Sequence, residues 1–322
     1  MLLRRASLGN RGLPAKSDGN EVEMTRSGVS LEGVFTPIVT SFDGRGDVAH
    51  DKMVDNLGSW NQTGLAGYIV LGSNGEWVFL SEDERLDVLR TARQAIPPGK
   101  LMIAGTAAES TRHTIRLTEA AAKIGADAAI VVNPSYYKSQ MTPAILADHY
   151  RTVADASPIP IVIYNLPPAT GMDLPADLLV ELSFHLNIIG VKDTGGNTAK
   201  MADTVRRCDP SFRVLSGSAN FLYPTLSFGV SGGVLALGNI APTESVAMYE
   251  LFRSGELQEG RELYLRMLPV NMAVTSRWGV SGLKAAMDMR GWYGGPPRLP
   301  LQELGGEQRR ELSGILMEAG LL

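Results

Sequence analysis

The chain has 322 residues, of which 44% are hydrophobic and 20% are charged, and its formal net charge is −4. This length and composition predict one large globular domain or two smaller ones, and a negative charge without a basic block excludes a typical nucleic-acid-binding protein. No apolar run reaches the length of a membrane span, so no membrane partner is expected, and a single cysteine, Cys208, excludes an intramolecular disulfide framework.

The first thirty residues differ in charge from the rest. Residues 1–16 carry four basic side chains and no acid, which is typical of a mitochondrial presequence, and Met24 is an alternative start for a bacterial protein. We expect residues 1–30 to be a flexible tail outside the fold. The expected location is cytoplasmic, or the mitochondrial matrix if residues 1–23 are a presequence.

From residue 33 onward, strand-like and helix-like segments alternate eight times. The predicted strands are residues 33–40, 67–71, 101–105, 128–132, 159–164, 188–192, 213–216 and 232–237. The predicted helices are residues 51–62, 81–96, 110–124, 142–156, 175–183, 198–208, 221–228 and 242–253. Such alternation implies parallel strands joined by right-handed helical crossovers. It predicts an α/β fold, namely a closed (β/α)8 TIM barrel over residues 31–254. A dinucleotide-binding fold is not indicated, because no Gly-x-Gly-x-x-Gly follows a predicted strand.

Capping side chains support several of these helix boundaries. Ser81 and Glu84 have the spacing of a capping box, and Thr142 followed by Pro143 is typical of a helix start. The remaining residues, 255–322, show no strand pattern. We expect them to form a small C-terminal helical region beside the barrel, with helices at residues 256–276, 281–289 and 302–319.

Lys192 is the most informative single residue. It interrupts the apolar, β-branched run that begins at Ile188, just before a Gly-rich turn. Lysine is almost never fully buried unless another group pairs with it or uses it. At the mouth of a strand, desolvation favours the neutral amine, which is the nucleophile that Schiff-base chemistry on a carbonyl substrate requires. A lysine whose head reaches water is equally consistent with this segment alone.

A barrel of this kind has its active site at the carboxyl ends of its strands, so the polar residues that end the strands are expected to meet. A tyrosine near an imine can move protons. The amides of the turn at residues 72–75 can form a nest for a carboxylate or a phosphate, although Gly, Ser and Asn also form plain turns. We interpret Glu76 as a helix-start or supporting residue, not as a catalytic acid. The collected residues are Ser73, Asn74, Glu76, Asn133, Tyr136, Tyr137, Tyr164, Asn165, Lys192, Asp193, Thr194, Ser216, Gly217, Ser218 and Asn239.

The histidines do not indicate a metal centre. His50, His113, His149 and His185 are scattered over predicted helices and helix-side loops without ligand spacing. Histidines on helices are more often surface residues than ligands. No Gly-x-Ser-x-Gly elbow is present to indicate a Ser–His–acid hydrolase. An aldolase with this sequence is therefore expected to be of the lysine type, with no metal and no cofactor.

Three motifs occur in order at a spacing that suits a barrel. They are Gly-Ser-Asn-Gly-Glu at residues 72–76, Tyr-Asn-Leu-Pro at residues 164–167 with Thr170 and Gly171, and Gly-Val-Lys-Asp at residues 190–193. The chain resembles the dihydrodipicolinate synthase / N-acetylneuraminate lyase superfamily over about residues 31–322. The resemblance implies a class I aldolase or synthase that forms or uses pyruvate and assembles as a homotetramer.

The resemblance also implies roles for individual residues. Lys192 falls on the superfamily's Schiff-base lysine, and Tyr164 falls on its proton-transfer tyrosine. Ser73 and Asn74 fall where the superfamily binds the pyruvyl carboxylate and relays protons.

Four further positions follow from the same resemblance. Thr194 and Gly217 fall on substrate-contacting positions. Tyr136 matches a loop tyrosine that members often donate across a subunit interface, which gives it an implied catalytic role. Its neighbour Tyr137 remains an alternative for that role.

One departure from the superfamily's pattern narrows the function. The lysine-biosynthetic synthases carry an arginine five residues after the Tyr164 position, and Ala169 stands there in this chain. Because alanine cannot form a bidentate ion pair with a carboxylate, dihydrodipicolinate synthase activity is disfavoured. The motif at residues 72–76, the Ser-Tyr-Tyr sequence at 135–137 and the Tyr-Gly-Gly-Pro sequence at 293–296 look closest to the 4-hydroxy-2-oxoglutarate aldolases. Those enzymes cleave 4-hydroxy-2-oxoglutarate to pyruvate and glyoxylate.

The main prediction is therefore a carbon–carbon lyase that acts through an imine on Lys192, with a small 2-oxo acid as substrate. Superfamily members share the imine and differ in the pocket beyond it, so another activity on a 2-oxo sugar acid, as aldolase, dehydratase or sialate lyase, is the nearest alternative. Two alternatives from other classes are a barrel that binds a keto acid as a sensor, and a phosphate-binding barrel that uses residues 72–75.

Overall fold

A computed structural model describes residues 28–322, so the predicted tail and presequence lie largely outside the described residues. Eight parallel strands pair in sequence order, and the last strand pairs with the first to close the barrel. The predicted (β/α)8 TIM barrel is thereby confirmed. The strands are β1 Gly33–Pro37, β2 Gly67–Val70, β3 Leu101–Gly105, β4 Ala128–Val132, β5 Ile161–Asn165, β6 Ile188–Asp193, β7 Arg213–Ser216 and β8 Gly232–Val234.

Helices follow the strands and cover the outside of the barrel. Their predicted caps are present, since the Ser81 hydroxyl accepts a hydrogen bond from the Glu84 amide in a complete capping box, and Thr142 caps its own helix. The barrel helices are α1 His50–Trp60, α2 Glu82–Ala95, α3 Thr111–Ile124, α4 Pro143–Ala156, α5 Pro167–Thr170, α6 Ala176–Ser183, α7 Thr198–Arg207, α8 Ala219–Leu226 and α9 Pro242–Ser254. Those of the C-terminal region are α10 Leu257–Met272, α11 Gly279–Met289 and α12 Gly306–Glu318.

The barrel interior is filled with side chains. Alternate residues of each strand point inward, and these large apolar side chains exclude water from the lower barrel. The apolar layers between the strands and the helices form two further clusters that enclose the barrel. The buried members of the interior cluster are Leu31, Phe35, Ile69, Ile103, Ala128, Ile130, Val162, Tyr164, Ile189, Leu215 and Val234.

Two predicted strands are shorter than expected. β1 ends at Pro37, whose ring nitrogen has no hydrogen to continue the ladder. β8 ends at Val234, and the chain then enters the 3₁₀ helix Ala236–Asn239 in place of the predicted strand end. The apolar run after Val234 is buried by helical packing, which periodicity alone does not distinguish from a buried strand.

The C-terminal region packs against the barrel through buried side chains. Asn56 of α1 exchanges two hydrogen bonds with the backbone of Tyr293, with its Nδ2 donating over 2.8 Å and its Oδ1 accepting over 3.0 Å. The predicted helix at 256–276 is interrupted, because α10 passes into a π-helical turn at Ala273–Arg277. Among residues 28–322, no helix combines the length and the apolar character needed to cross a membrane. The division of the chain at residue 254 stays a prediction.

Candidate active site

Lys192 and Tyr164 lie side by side at the carboxyl ends of adjacent strands. They are register partners of β6 and β5, and both side chains face the barrel interior, with 3% and 6% of their surface exposed. The Lys192 Nζ is 3.9 Å from the centroid of the Tyr164 ring. A buried amine beside a phenol therefore stands at the end of the barrel where active sites of this fold form.

Ser73 joins this pair from the loop after β2. Its Oγ is 3.2 Å from the Tyr164 hydroxyl oxygen, and either group can donate the hydrogen bond. Burial by itself raises the pKa of Tyr164, but the positive charge of Lys192 and the polar contacts of Lys192, Ser73 and Thr194 with the phenol together outweigh it, so the pKa lies below its ordinary value. A phenol that ionises more readily is better suited to take a proton from a substrate.

The loop from residue 72 to 76 has an unusual backbone. Ser73–Gly75 forms a single 3₁₀ turn. Leu71, which precedes the loop, and Glu76, which ends it, have φ values of 64° and 52°. The first amides of such a turn are not used by the turn's own hydrogen bonds. These amides, together with the Ser73 hydroxyl, are therefore available to a carboxylate, as the nest prediction requires. The side chain of Asn74 is turned away toward β1, with its Nδ2 3.4 Å from the Pro37 carbonyl oxygen.

Thr194 and Gly217 meet beside the lysine strand. The Gly217 amide donates to the Asp193 carbonyl oxygen over 2.7 Å. A Cβ at Gly217 would lie 2.2 Å from the Thr194 Oγ1, so only glycine leaves room for that hydroxyl. Within the described residues the Thr194 Oγ1 is buried and has no partner with good hydrogen-bond geometry, although it lies close enough to the Tyr164 hydroxyl to help lower the pKa of that phenol. A buried hydroxyl in this state is costly unless a ligand or a water pairs with it, which favours a contact with substrate.

Next to Tyr164 and Lys192, four residues form a polar network that the sequence did not reveal. Asp193, the last residue of β6, pairs with Lys200 of α7 over 2.8 Å and accepts a hydrogen bond from Asn165 over 3.1 Å. Asn165 also donates to Asp173 over 2.7 Å, and Lys200 contacts the same carboxylate. Asp193 and Asn165 were predicted only as strand ends, while Lys200 and Asp173 were missed because their pairing depends on the folded chain.

A cavity of about 250 Å³ lies beside Ser73, which forms part of its wall. A smaller cavity shares Trp77, Ala107 and Val132 with it and reaches Tyr164. Ala169, which stands where the synthases have arginine, lines the outer cavity. The outer lining is mostly apolar, and its charged member is Glu109. The residues that line it are Ser73, Trp77, Val78, Ala107, Ala108, Glu109, Val132, Asn133, Ser135, Leu166, Ala169 and Thr170.

Tyr136 and Tyr137 lie on the loop after β4 and are the most exposed members of the predicted site. Their exposed fractions are 79% and 65%, and their rings make an edge-to-face contact with centroids 5.1 Å apart. The carboxylate of Glu109 holds this loop by accepting hydrogen bonds from the amides of Ser135 and Tyr136, each over 3.0 Å. Within one chain, Tyr136 does not line the cavity. Its catalytic role stays a prediction.

The histidines lie apart from the site, and one of them contradicts the expected surface position. His149 of α4 is 6% exposed, and its Nδ1 is 2.9 Å from the Thr111 hydroxyl oxygen. Burial lowers the pKa of His149 to about 4, against the opposing effect of Glu109. Periodicity did not separate this position from the exposed face of α4. Over residues 28–322, no three His, Cys, Asp or Glu side chains lie close enough to hold a metal ion.

The fold and this group of side chains define a class of protein. It is a (β/α)8 barrel whose reactive amine, phenol and hydroxyl converge at the carboxyl ends of the strands. Residues 30–319 match the model of the dihydrodipicolinate synthetase family. The chain belongs to this family and is a lyase, which confirms the resemblance seen in the sequence.

Individual relatives agree in fold and differ in named activity. A probable mitochondrial 4-hydroxy-2-oxoglutarate aldolase of Emericella nidulans is 37% identical, covering 90% of this chain and 95% of the relative. A 4-hydroxy-tetrahydrodipicolinate synthase of Methanoculleus marisnigri is 32% identical, covering 90% of this chain and 100% of the relative. A prophage protein of the same family from E. coli K12, solved in complex with pyruvate, has a TM-score of 0.86 at 28% identity and covers 91% of this chain and 100% of its own.

Proposed function

We propose that the chain is a class I pyruvate-dependent aldolase that works through an imine on Lys192. The observation that carries the proposal is the juxtaposition of three groups, the buried Lys192 amine, the Tyr164 hydroxyl and the Ser73 hydroxyl. An amine in an apolar enclosure can attack a ketone, and the phenol beside it can exchange protons with the resulting adduct. The imine is itself the electron sink, so the proposed mechanism calls for no metal and no cofactor.

The proposed reaction is a retro-aldol cleavage of a 4-hydroxy-2-oxo acid. The neutral amine of Lys192 attacks the C2 ketone, the Tyr164 phenol gives its proton to the carbinolamine hydroxyl, and loss of water leaves a protonated imine beside the phenolate. Tyr164, hydrogen-bonded to Ser73, takes the proton from the C4 hydroxyl. The C3–C4 bond breaks, its electron pair moves toward the imine, and the aldehyde leaves. The remaining enamine gains a proton at C3, and water then releases pyruvate and restores the amine.

The turn at residues 72–76 is proposed to hold the pyruvyl carboxylate. Its free amides and the Ser73 hydroxyl provide donors beside Tyr164, and Asn74 belongs to the same turn. Thr194 supplies a buried hydroxyl that has no partner with good hydrogen-bond geometry in the described chain, and Gly217 makes room for it. Both are proposed to contact the substrate.

The proposed substrate is 4-hydroxy-2-oxoglutarate, with pyruvate and glyoxylate as products. The fungal relative named as a probable aldolase of this substrate supports it. So does Ala169, because the cavity wall offers no guanidinium at the position where synthases have one.

One observation favours a second candidate substrate, a 2-oxo sugar acid. The chain of such an acid beyond the pyruvyl group carries hydroxyl groups and no charge. The outer cavity is lined by no cationic side chain, and Glu109 contributes a carboxylate. A distal carboxylate would therefore meet neutral donors only, whereas hydroxyl groups can donate to Glu109. Cleavage rates measured on 4-hydroxy-2-oxoglutarate, N-acetylneuraminate and a 2-oxo-3-deoxy sugar acid separate the two candidates, and the preferred substrate has the highest kcat/KM.

The imine is tested by trapping it with borohydride in the presence of pyruvate. We expect a mass increase of one reduced pyruvyl group, mapped by peptide mass spectrometry to Lys192. Lys192→Met is expected to abolish trapping and to lower turnover by about 10³-fold or more, whereas the exposed Lys123→Met is expected to leave both unchanged. Full turnover by a Lys192→Ala variant would contradict the mechanism. Pyruvate binding without trapping would favour the sensor reading, and competition by inorganic phosphate would favour the phosphate-binding reading.

The assembly of the protein and its location in the cell are also proposed. A homotetramer is supported by the exposed Tyr136, which suits donation to a neighbouring subunit, and sedimentation analysis tests it. A cytoplasmic location is proposed, with the mitochondrial matrix as the alternative that the acid-free residues 1–16 and the name of the fungal relative support. Fusion of residues 1–30 to a fluorescent protein distinguishes the two.

A further inference from the structure

Glu76, the residue that ends the loop at residues 72–76, is a fully buried charged residue. Glu76 directly follows the Ser73–Gly75 turn, and its side chain is 1% exposed. Its Oε1 is 2.6 Å from the Nζ of Lys284, which belongs to α11 of the C-terminal region and is also 1% exposed. Its Oε2 accepts a hydrogen bond from the Arg298 amide over 2.8 Å. The C-terminal region therefore contacts both oxygens of Glu76, Oε1 by an ion pair without hydrogen-bond geometry and Oε2 by a hydrogen bond, although the loop itself belongs to the barrel.

The loop has a strained backbone that needs such an attachment. Among residues 28–322, Leu71 and Glu76 are the only residues other than glycine with a positive φ. A left-handed conformation at residues other than glycine is unfavourable and persists only where the surroundings enforce it. The Thr40 hydroxyl adds a second hold by donating to the Gly75 carbonyl oxygen over 2.7 Å.

Stability alone does not account for this ion pair. Burial lowers the pKa of Lys284, and the Glu76 carboxylate opposes that effect. Two buried charges lose their hydration, and their attraction recovers that cost only when the geometry is good and the other polar atoms are satisfied. Here the amine also donates to the Pro296 carbonyl oxygen over 3.0 Å and lies 4.4 Å from the Phe42 ring centroid. The contacts fix the direction of both side chains, which is what a positioning device requires.

We propose that Glu76 and Lys284 are positioning residues, which fix the loop so that Ser73 meets Tyr164 and the loop amides meet the pyruvyl carboxylate. The C-terminal helical region is then part of the working site. This inference rests on the proposed function, because it assigns a role toward the imine-forming site. A displacement of about 1 Å at a reacting group can cost about 10²-fold in rate, so a small shift of the loop is enough to be measured.

The test measures the pyruvate concentration that half-saturates borohydride trapping. We expect Glu76→Gln to raise it about tenfold or more. Thr40→Val, which removes the hydrogen bond to Gly75, is expected to raise it in the same direction. The matched control is Asn56→Ala. It removes the two hydrogen bonds between α1 and the Tyr293 backbone and leaves the contacts of the loop intact. The control is expected to lower the thermal midpoint without changing half-saturation.

A double-variant cycle distinguishes positioning from a general structural role. If Glu76 positions Ser73 together with the loop amides, then Glu76→Gln is expected to raise half-saturation by a smaller factor in a Ser73→Ala background than in wild type, because the contribution of Ser73 is already lost there. Should Glu76→Gln not fold, the uncharged pair Glu76→Gln with Lys284→Met replaces it, since removing both charges is often neutral for stability. Effects that multiply, or a Glu76→Gln protein that behaves like Asn56→Ala, would overturn this inference alone. A wild-type protein that traps no pyruvate would overturn the proposed function as well.

Discussion

At the scale of residues, Tyr164 and Lys192 influence each other's chemistry. The phenol is buried, which disfavours its ionised form, yet the adjacent ammonium and the hydrogen bonds to the phenol together outweigh that effect and lower its pKa. When Lys192 forms an imine that carries a positive charge, the charge beside Tyr164 is retained. The phenol can therefore serve as a base both before and after the imine forms.

The hydrogen bond from Ser73 gives this argument a measurable consequence. It stabilises the ionised phenol, so Ser73→Ala is expected to raise the pKa of Tyr164. Because the base acts only when it is deprotonated, the rising limb of kcat/KM against pH is expected to move to higher pH. Ser183→Ala, which removes a buried hydroxyl from the end of α6, is the control and is expected to leave the limb in place. A limb that stays in place in Ser73→Ala would exclude Tyr164 as the base.

At the scale of elements, local signals in the sequence were sufficient for most of the barrel. Helix starts with a capping box or an N-cap threonine are encoded within four residues, and they appear where they were predicted. The end of β8 was not predictable in this way. A buried apolar run such as residues 232–237 satisfies either a strand or a 3₁₀ turn, and the choice depends on what packs around it. The buried face of α4 that contains His149 was missed for the same reason.

The candidate site likewise contains residues that the sequence predicts and residues that it does not. Lys192, Tyr164 and Ser73 follow strands, so the topology brings them together once eight strands are recognised. The pairing of Glu76 with Lys284 joins residues more than two hundred positions apart, and nothing in either local sequence indicates the partner. Long-range ion pairs are absent from periodicity and from capping patterns, so they must be seen in the structure.

The attachment of α7 to β6 through Lys200 yields a second prediction. The Lys200 side chain is 9% exposed and lies between Asp193, which is 2% exposed, and Asp173. Removing one member of a buried pair leaves the other charge uncompensated. We expect Lys200→Met to lower the free energy of unfolding in urea by about 3 kcal/mol.

The matched control for that variant is Lys123→Met, which replaces an exposed lysine of α3 and is expected to change the free energy of unfolding by less than about 0.5 kcal/mol. Adding Asp193→Asn to Lys200→Met removes the uncompensated charge and is expected to restore part of the loss. An equal loss in Lys123→Met and Lys200→Met would show that the network does not fasten the two elements.

At the scale of the whole molecule, Arg298 ties the C-terminal region to the first third of the barrel. Its guanidinium donates to both carboxylate oxygens of Glu84 on α2, over 2.9 and 2.6 Å, and also to the carbonyl oxygens of Gly46 and Phe79. The backbone amide of Arg298 itself donates to the carboxylate of Glu76, so the same residue also holds the loop at residues 72–76. Weakening this tie is therefore expected to affect both the stability and the site.

The tie titrates in the acid range. The hydrogen bond from Arg298 lowers the pKa of Glu84 from 4.5 to about 2, against the opposing effect of burial. Because the folded-state pKa lies below the unfolded value, the contribution is fully present above about pH 4.5 and is lost as the pH falls toward 2. The Glu84 side chain is 34% exposed, so solvent screening limits the contribution to about 1 kcal/mol.

Glu84→Gln separates this charge from the helix cap that the same residue completes, since glutamine keeps the capping box. The thermal midpoint of wild type is expected to exceed that of Glu84→Gln at neutral pH, and the difference is expected to shrink as the pH falls from 4.5 toward 2. Glu181→Gln, on α6 and away from the C-terminal region, controls for general acid unfolding. A difference between wild type and Glu84→Gln that stays constant with pH would mean that the ion pair with Arg298 contributes nothing, and that the C-terminal region is held by its other polar contacts and its apolar contacts.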